Sequence, residues 1–284
     1  MSRSIQPILD HIVINVRTRL DEGCETYRKL GFHPTKRGHH PFGTSNHLLV
    51  FGETYVELLG LEPGNEHKRP DLLAFPPGVT GLVFKTTDSS ALHDAIEALG
   101  IPVEAPFEFV RPVTLPSGPA EARFRTVRLG ADLVRNGRTF FCHHFTPELI
   151  WRDEWRDHPN GVTEILGLVI ASETPGDTAS LYGKLFGPEI LTADGDGYVF
   201  QAGPARIHIL PPAEVDRRFG EIEATTDGSE RMVALALRTR STAALRALLD
   251  ANGIASRGFD DGSVLVQAKD AAGVALRFFE GGKQ

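Results

Sequence analysis

The same order of elements is written four times along this chain, and that repeat limits the fold more than any other feature of the sequence. Residues 8–16 form an apolar run rich in Ile and Val, which predicts a strand. After Thr18, an N-cap candidate, Leu20, Cys24, Tyr27 and Leu30 recur at helical spacing, so one helical face is buried until Gly31 ends it. Strand patterns over 34–37, 46–51 and 54–61 follow, parted by turns at Gly43 and at Gly52-Glu53. The unit is βαβββ.

A second copy begins with strand 81–86. Its helix starts after Asp88, buries Ala91, Leu92, Ala95, Ile96 and Leu99 and stops at Gly100, before strands near 103–110, 124–129 and 138–145. A third copy opens at 165–172, with a helix entered at Thr174-Pro175 and left at Gly187-Pro188. The fourth opens at 232–237, and its helix buries Leu245, Leu248 and Leu249 before Gly253. The helix-ending glycines are thus 69, 87 and 66 residues apart, and the long middle interval holds 146–161, a linker packed by Trp151 and Trp155. A small sheet with one helix on one face needs a partner for the other face. The units are therefore expected to pair, as residues 1–150 and 160–284, in an α+β fold with its chemistry on the interior face of the paired sheets.

Charge and motif content remove several function classes. Lys+Arg number 30 against 37 Asp+Glu, so no basic excess is available for nucleic acid or an anionic membrane. Cys24 and Cys142 form no CxxC pair, and no apolar run has the length of a signal peptide or membrane span, which predicts a soluble cytoplasmic protein, monomeric or homodimeric. Nucleophile-elbow, HExxH, P-loop and GxGxxG signatures are absent. Asp194-Gly195-Asp196-Gly197 lacks the Glu of a calcium loop and reads as a hairpin turn.

Nine of the eleven histidines lie within the first 144 residues, and only His158 and His208 lie beyond. That distribution points to the first pair as the place for imidazole chemistry. Glu57 stands inside the apolar run 55–61, where an unpaired carboxylate is costly, so it either pairs with Arg111 or Arg125 or binds a metal. His39-His40 reads as a solvated loop.

The four βαβββ units, Asp10-His11 in the first strand and Tyr55-Val56-Glu57-Leu58-Leu59 in the fourth resemble the vicinal oxygen chelate superfamily. The stretch from His39-His40-Pro41-Phe42-Gly43 through Asn46-His47 resembles its glyoxalase-like branch. The resemblance implies four modules paired into two U-shaped mixed sheets, with one divalent ion, Fe, Zn, Mn, Ni or Co, held by residues of first and fourth strands. His11 and Glu57 match those ligand positions. The second module has no His at the corresponding place in 81–84, and its fourth strand carries Cys142-His143-His144. Aligning Thr54 with Thr139 puts Cys142 opposite Glu57, and alternation then favours His144 over His143 as third ligand. Asn46, His47 and His143 are expected to contact substrate. Glu57 doubles as proton carrier by the glyoxalase resemblance. The implied function is a metal-dependent isomerase, lyase or ring-cleaving dioxygenase acting on a small molecule with adjacent oxygens; the rival is a metal-free binder of a small ligand such as an antibiotic. The second pair offers Ile165-Leu166-Gly167 where His11 stands, and Arg277 near the place of Glu57, so it is expected to hold no metal.

Overall fold

The computed structural model describes residues 5–115, 117–222 and 227–281. The first half contains β1 (Leu9–Asn15), α1 (Leu20–Lys29), β2 (Gly38–His39), β3 (Thr44–Val50), β4 (Tyr55–Leu61), α2 (Pro70–Ala74), β5 (Gly78–Lys85), α3 (Ser89–Ala98), β6 (Phe107–Leu115), β7 (Gly118–Arg128) and β8 (Arg138–His144). The second contains β9 (Val162–Ala171), α4 (Pro175–Phe186), β10 (Thr192–Asp194), β11 (Gly197–Ala202), β12 (Ala205–Leu210), α5 (Pro212–Phe219), β13 (Arg231–Thr239), α6 (Thr242–Ala251), β14 (Arg257–Gly258), β15 (Val264–Val266) and β16 (Ala275–Glu280). Each half is one eight-stranded sheet, ordered β2-β3-β4-β1-β5-β8-β7-β6 and β10-β11-β12-β9-β13-β16-β15-β14. In both, two βαβββ units meet through their first strands, β1 antiparallel to β5 and β9 antiparallel to β13. This is the fold class that the repeat predicts.

The helices form where the periodic faces lie. α1 buries Leu20, Cys24 and Tyr27, and Gly31 follows at φ 80°, a left-handed residue that lets the chain leave the helix. Asp88 caps α3 by accepting from the Ala91 N–H at 3.0 Å. Thr18 caps nothing, since α1 begins after Arg19 and has no side-chain cap. Strand formation departs from expectation in two places. Residues 34–37 are not a strand, the short β2 lying at Gly38–His39, and β6 and β7 form a long antiparallel pair. Pro112 obscures β6 in the sequence; it is tolerated because β6 is the sheet's edge.

The first sheet curls further than an open U. Its outermost strands, β2 and β6, approach each other: Phe42, just after β2, stacks edge-on against Phe109 of β6 at 5.4 Å, and Arg111 of β6 donates to Asn46 Oδ1 of β3 at 3.2 Å. Gly38 makes that closure possible, because a Cβ there would lie 2.1 Å from Arg111 Nη1. The helix-bearing faces of both sheets share one core, in which Phe84 meets Phe186 at 4.9 Å and Tyr182 OH lies 3.3 Å from Thr139 Oγ1. The linker carries His158, whose Nδ1 accepts from the His33 N–H at 3.0 Å while its Nε2 donates to Val50 O at 2.9 Å. Among the described residues, no helix is long and apolar enough to cross a membrane.

Candidate functional site

The inner face of the first sheet is built by strand alternation. His11 and Val13 of β1 stand beside Tyr55, Glu57 and Leu59 of β4, and Phe140 and Cys142 of β8 face Arg128 and Thr126 of β7. A register shift between Leu9 and His11 makes Asp10 an extra residue in β1, and this irregularity turns both Asp10 and His11 to useful partners. The cleft they form has a volume of about 60 Å³ and is walled by Phe42, Phe109, Phe124 and Phe140.

Asp10 is fully buried and accepts from two imidazoles, His11 Nδ1 at 2.6 Å and His144 Nε2 at 3.0 Å. Burial opposes its charge, but these two histidines outweigh that cost and hold its carboxyl well below the usual carboxylate range. An ionised carboxylate only accepts, so His11 donates to it from Nδ1 and turns its Nε2 the other way. That Nε2 faces Glu57 Oε2 across 3.9 Å, too far for a hydrogen bond. Tyr55 stacks on the His11 ring at 4.3 Å and fixes its plane.

Glu57 is buried and reached from its other side by Asn46 Nδ2, which donates to Oε1 at 2.6 Å, and by His40 Nε2 at 3.6 Å. Burial again opposes the charge, and His40, His11, the Asn46 bond and Arg111 overcome it to hold the carboxyl below its ordinary range. His40 Nδ1 lies 2.9 Å from Thr44 Oγ1, and burial pushes this imidazole down to about 4, so it is neutral at physiological pH. The arrangement therefore points the Nε2 atoms of His11 and His40 toward one carboxylate. Neutral imidazoles and a carboxylate are the donor set of a divalent transition metal, and Asp10 stands behind His11 as the acceptor that such a ligand needs.

Each residue singled out in the sequence now has a place. His11, Glu57 and Asn46 line the cavity together, with Asn46 holding Glu57. His144 lies behind Asp10, against Trp151 at 4.6 Å, and faces a neighbouring hollow lined also by Lys85 and Pro147. Asp10, His11 and His144 bring one ligand atom each within 4.8 Å of the others, a compact grouping able to hold an ion, whereas His11 and His40 are linked only through the Glu57 carboxylate between them. His47 faces away from the cavity, its Nδ1 against Thr35 O at 2.7 Å. His143 lies near Ser89 and stacks against Phe145, outside the cavity. Of the two arginines weighed as partners of Glu57, Arg111 approaches it through Asn46, and Arg125 pairs with Glu108. The solvated-loop reading fails for His40, whose side chain is 7% exposed. Its signal in the sequence was Thr44 four residues on, across the tight turn at Gly43.

Residues 9–186 match the family model described as a glyoxalase-like domain. The chain belongs to that family. Its fold is that of the vicinal oxygen chelate proteins, and solved structures share it. A hypothetical protein from Staphylococcus aureus superposes with TM-score 0.68 at 14% identity, covering 96% of this chain and 98% of that one. A variant of 4-hydroxymandelate synthase from Streptomyces coelicolor gives 0.60 at 12% identity, covering 99% and 93%. A xylose isomerase-like TIM barrel/4-hydroxyphenylpyruvate dioxygenase fusion protein gives 0.59 at 13%, covering 98% of this chain and 49% of the fusion. No curated protein matches the sequence.

Proposed function

We propose that this glyoxalase-like protein is a divalent-metal-dependent enzyme acting on a small molecule with adjacent oxygens, with His11, His40 and Glu57 as the ligands. The observation that carries the reading is the pair of imidazoles whose Nδ1 atoms are already engaged, by Asp10 and Thr44, and whose Nε2 atoms face the Glu57 carboxylate in one buried cavity. Two histidines and a carboxylate suit Fe(II), Zn(II), Mn(II), Ni(II) or Co(II), and such an ion supplies Lewis acidity to the substrate oxygens it meets.

The remaining chemistry belongs to the chain. Glu57 is the one carboxylate among the cavity-lining residues, and its ionised form is the base able to take a proton from substrate carbon. Asn46 fixes Oε1 and leaves Oε2 to turn toward the cavity. The phenylalanine walls exclude water from that exchange. Two fold neighbours bear the names of a synthase of 4-hydroxymandelate and a dioxygenase of 4-hydroxyphenylpyruvate, which supports keeping oxygenation beside isomerase and lyase chemistry for this chain. The aromatic walls equally favour a second reading, capture of a small ligand without metal.

Loading the protein with Co(II) separates the two. The enzyme reading expects one Co(II) per chain, with a visible spectrum that changes when acetohydroxamate, a chelator through two adjacent oxygens, is added. A protein that takes up no Co(II) supports the metal-free binder, and bound Co(II) whose spectrum ignores acetohydroxamate overturns the reading of a substrate with adjacent oxygens. Compartment and oligomeric state enter as part of the same proposal: a cytoplasmic enzyme whose cavity is completed within one chain.

A further inference from the structure

The other end of the same cavity is cationic. Four guanidinium groups line it, from Arg69, Arg111, Arg128 and Arg138, against the single lining carboxylate of Glu57. Arg111 is engaged by Asn46. Arg69 is held by Asp71 in a two-pronged pair at 2.9 and 2.6 Å, and the same carboxylate lies 3.9 Å from Arg138. The Nε atoms of Arg128 and Arg138 are buried without any hydrogen-bond partner, and Arg128 forms no ion pair among the described residues.

Strand register explains how these cations reach the Glu57 site. Glu57 pairs with Val13, Val13 with Gly81 and Gly81 with Arg138, so carboxylate and guanidinium lie in one row across β4, β1, β5 and β8. Gly81 keeps the floor between them low, since a Cβ there would collide with Val13 at 2.7 Å. Arg128 joins from β7, opposite Phe140. Burial lowers the Arg138 guanidinium to about 9, and Arg69 and Arg128 add to the fall.

Packing against rings does not account for the cluster. Arg69 lies 6.0 Å from the Phe42 ring, Arg128 6.0 Å from Phe107 and Arg138 5.7 Å from Phe140. Each such contact is weak and provides no acceptor for an N–H. Burying a guanidinium such as Arg128 without an ion-pair partner costs more than such a contact returns. A guanidinium fork is also the group best shaped to grip a carboxylate or phosphate.

We propose that Arg69, Arg128 and Arg138 form an oxyanion subsite, and that the substrate is a small anion whose carboxylate or phosphate sits there while its reacting oxygens lie by His11 and Glu57. The inference rests on the functional reading above only in taking this cavity as the substrate site. Arg128 and Arg138 are its grip, and Arg69 is held in place by Asp71.

The test uses full-length protein freed of metal on a chelating resin, so that anion binding is read independently of any ion at His11 and Glu57. Line broadening in ¹⁹F NMR spectra is followed for trifluoroacetate, a carboxylate, and for monofluorophosphate, a phosphate, at constant ionic strength set with chloride. Saturable binding of one probe is expected, and the probe that binds tells carboxylate from phosphate. Arg128→Gln, which breaks no ion pair, should weaken it at least tenfold, and Arg138→Lys should weaken it severalfold, while Arg246→Gln on the opposite half leaves it unchanged. Absence of saturable binding by both probes overturns the proposal, and so does binding that survives unaltered in Arg128→Gln and Arg138→Lys. If the anion binds and Co(II) does not, the metal reading fails and the anion subsite stands; the reverse result leaves a metal enzyme with a neutral substrate.

Discussion

The two sheets have the same strand order and opposite interiors. In the second sheet the inner face is filled from within: α5 lays Val215 and Phe219 against Val169, Leu210, Val233 and Leu265. Register places His208 where Glu57 stands, since His208 pairs with Val169 and Val199 as Glu57 pairs with Val13 and Leu48. Val16 donates to Leu59 O of β4 as Ser172 donates to Leu210 O of β12, which aligns Leu166 and Gly167 with Asp10 and His11. His208 is then engaged by Asp194 at 2.7 Å, and Asp194 in turn by Arg218 of α5. A groove of about 580 Å³ remains beside the end of α5, with Glu221 as its one carboxylate and no histidine among the described residues that line it. Topology is thus common to both halves, and chemistry follows from what occupies the inner face.

The comparison can be broken most forcefully at α5. Phe219→Ala removes a buried ring from the filled cleft and is expected to cost about 3–5 kcal/mol in denaturant unfolding while leaving metal content unchanged. A variant of native stability would mean that the second cleft does not depend on its plug.

The joint between the halves gives the next largest effect. His158 must stay neutral to accept from His33 through Nδ1, and burial lowers it from an ordinary 6.5 to about 4. Between those values the unfolded chain takes up a proton that the native state refuses, so stability falls as pH drops from about 6.5 to about 4. The His158 share is up to about 3 kcal/mol. His158→Gln should flatten that part of the stability profile; an unchanged slope would assign it to other groups.

A smaller effect is expected at Gly38, where the edges of the first sheet meet. Gly38→Ala forces Arg111 away from Asn46 and should cost about 1–2 kcal/mol while loosening Glu57, which would appear as weaker Co(II) uptake. Unaltered uptake would separate the curl of this sheet from its site.

The legible and illegible parts of the sequence divide along the same lines. Four helices with glycine stops and the strands around His11 and Glu57 follow from periodicity, because their faces are buried and their ends are marked. The antiparallel pair of β6 and β7 is hidden by Pro112, and α2 and α5 are too short for a periodic face, each beginning with a proline that equally suits a loop. His11 and Glu57 are readable as lone polar residues in apolar strands. His40 is not, because its burial comes from the far edge strand β6, whose Phe109 packs on it at 5.9 Å. Nor are Arg128 and Arg138, which read as exposed strand residues until the sheet curls over them.

The asymmetry of the two clefts is tested most directly by elemental analysis of the purified full-length protein and its variants. One divalent ion per chain is expected, lost in Glu57→Gln and His11→Ala and retained in His208→Ala. Loss in His40→Ala with retention in His144→Ala would place the third ligand on the cavity side, and the opposite pattern would place the ion at Asp10, His11 and His144 instead. Metal content unchanged in both Glu57→Gln and His11→Ala, or abolished by His208→Ala, would contradict the assignment of the chemistry to the first sheet.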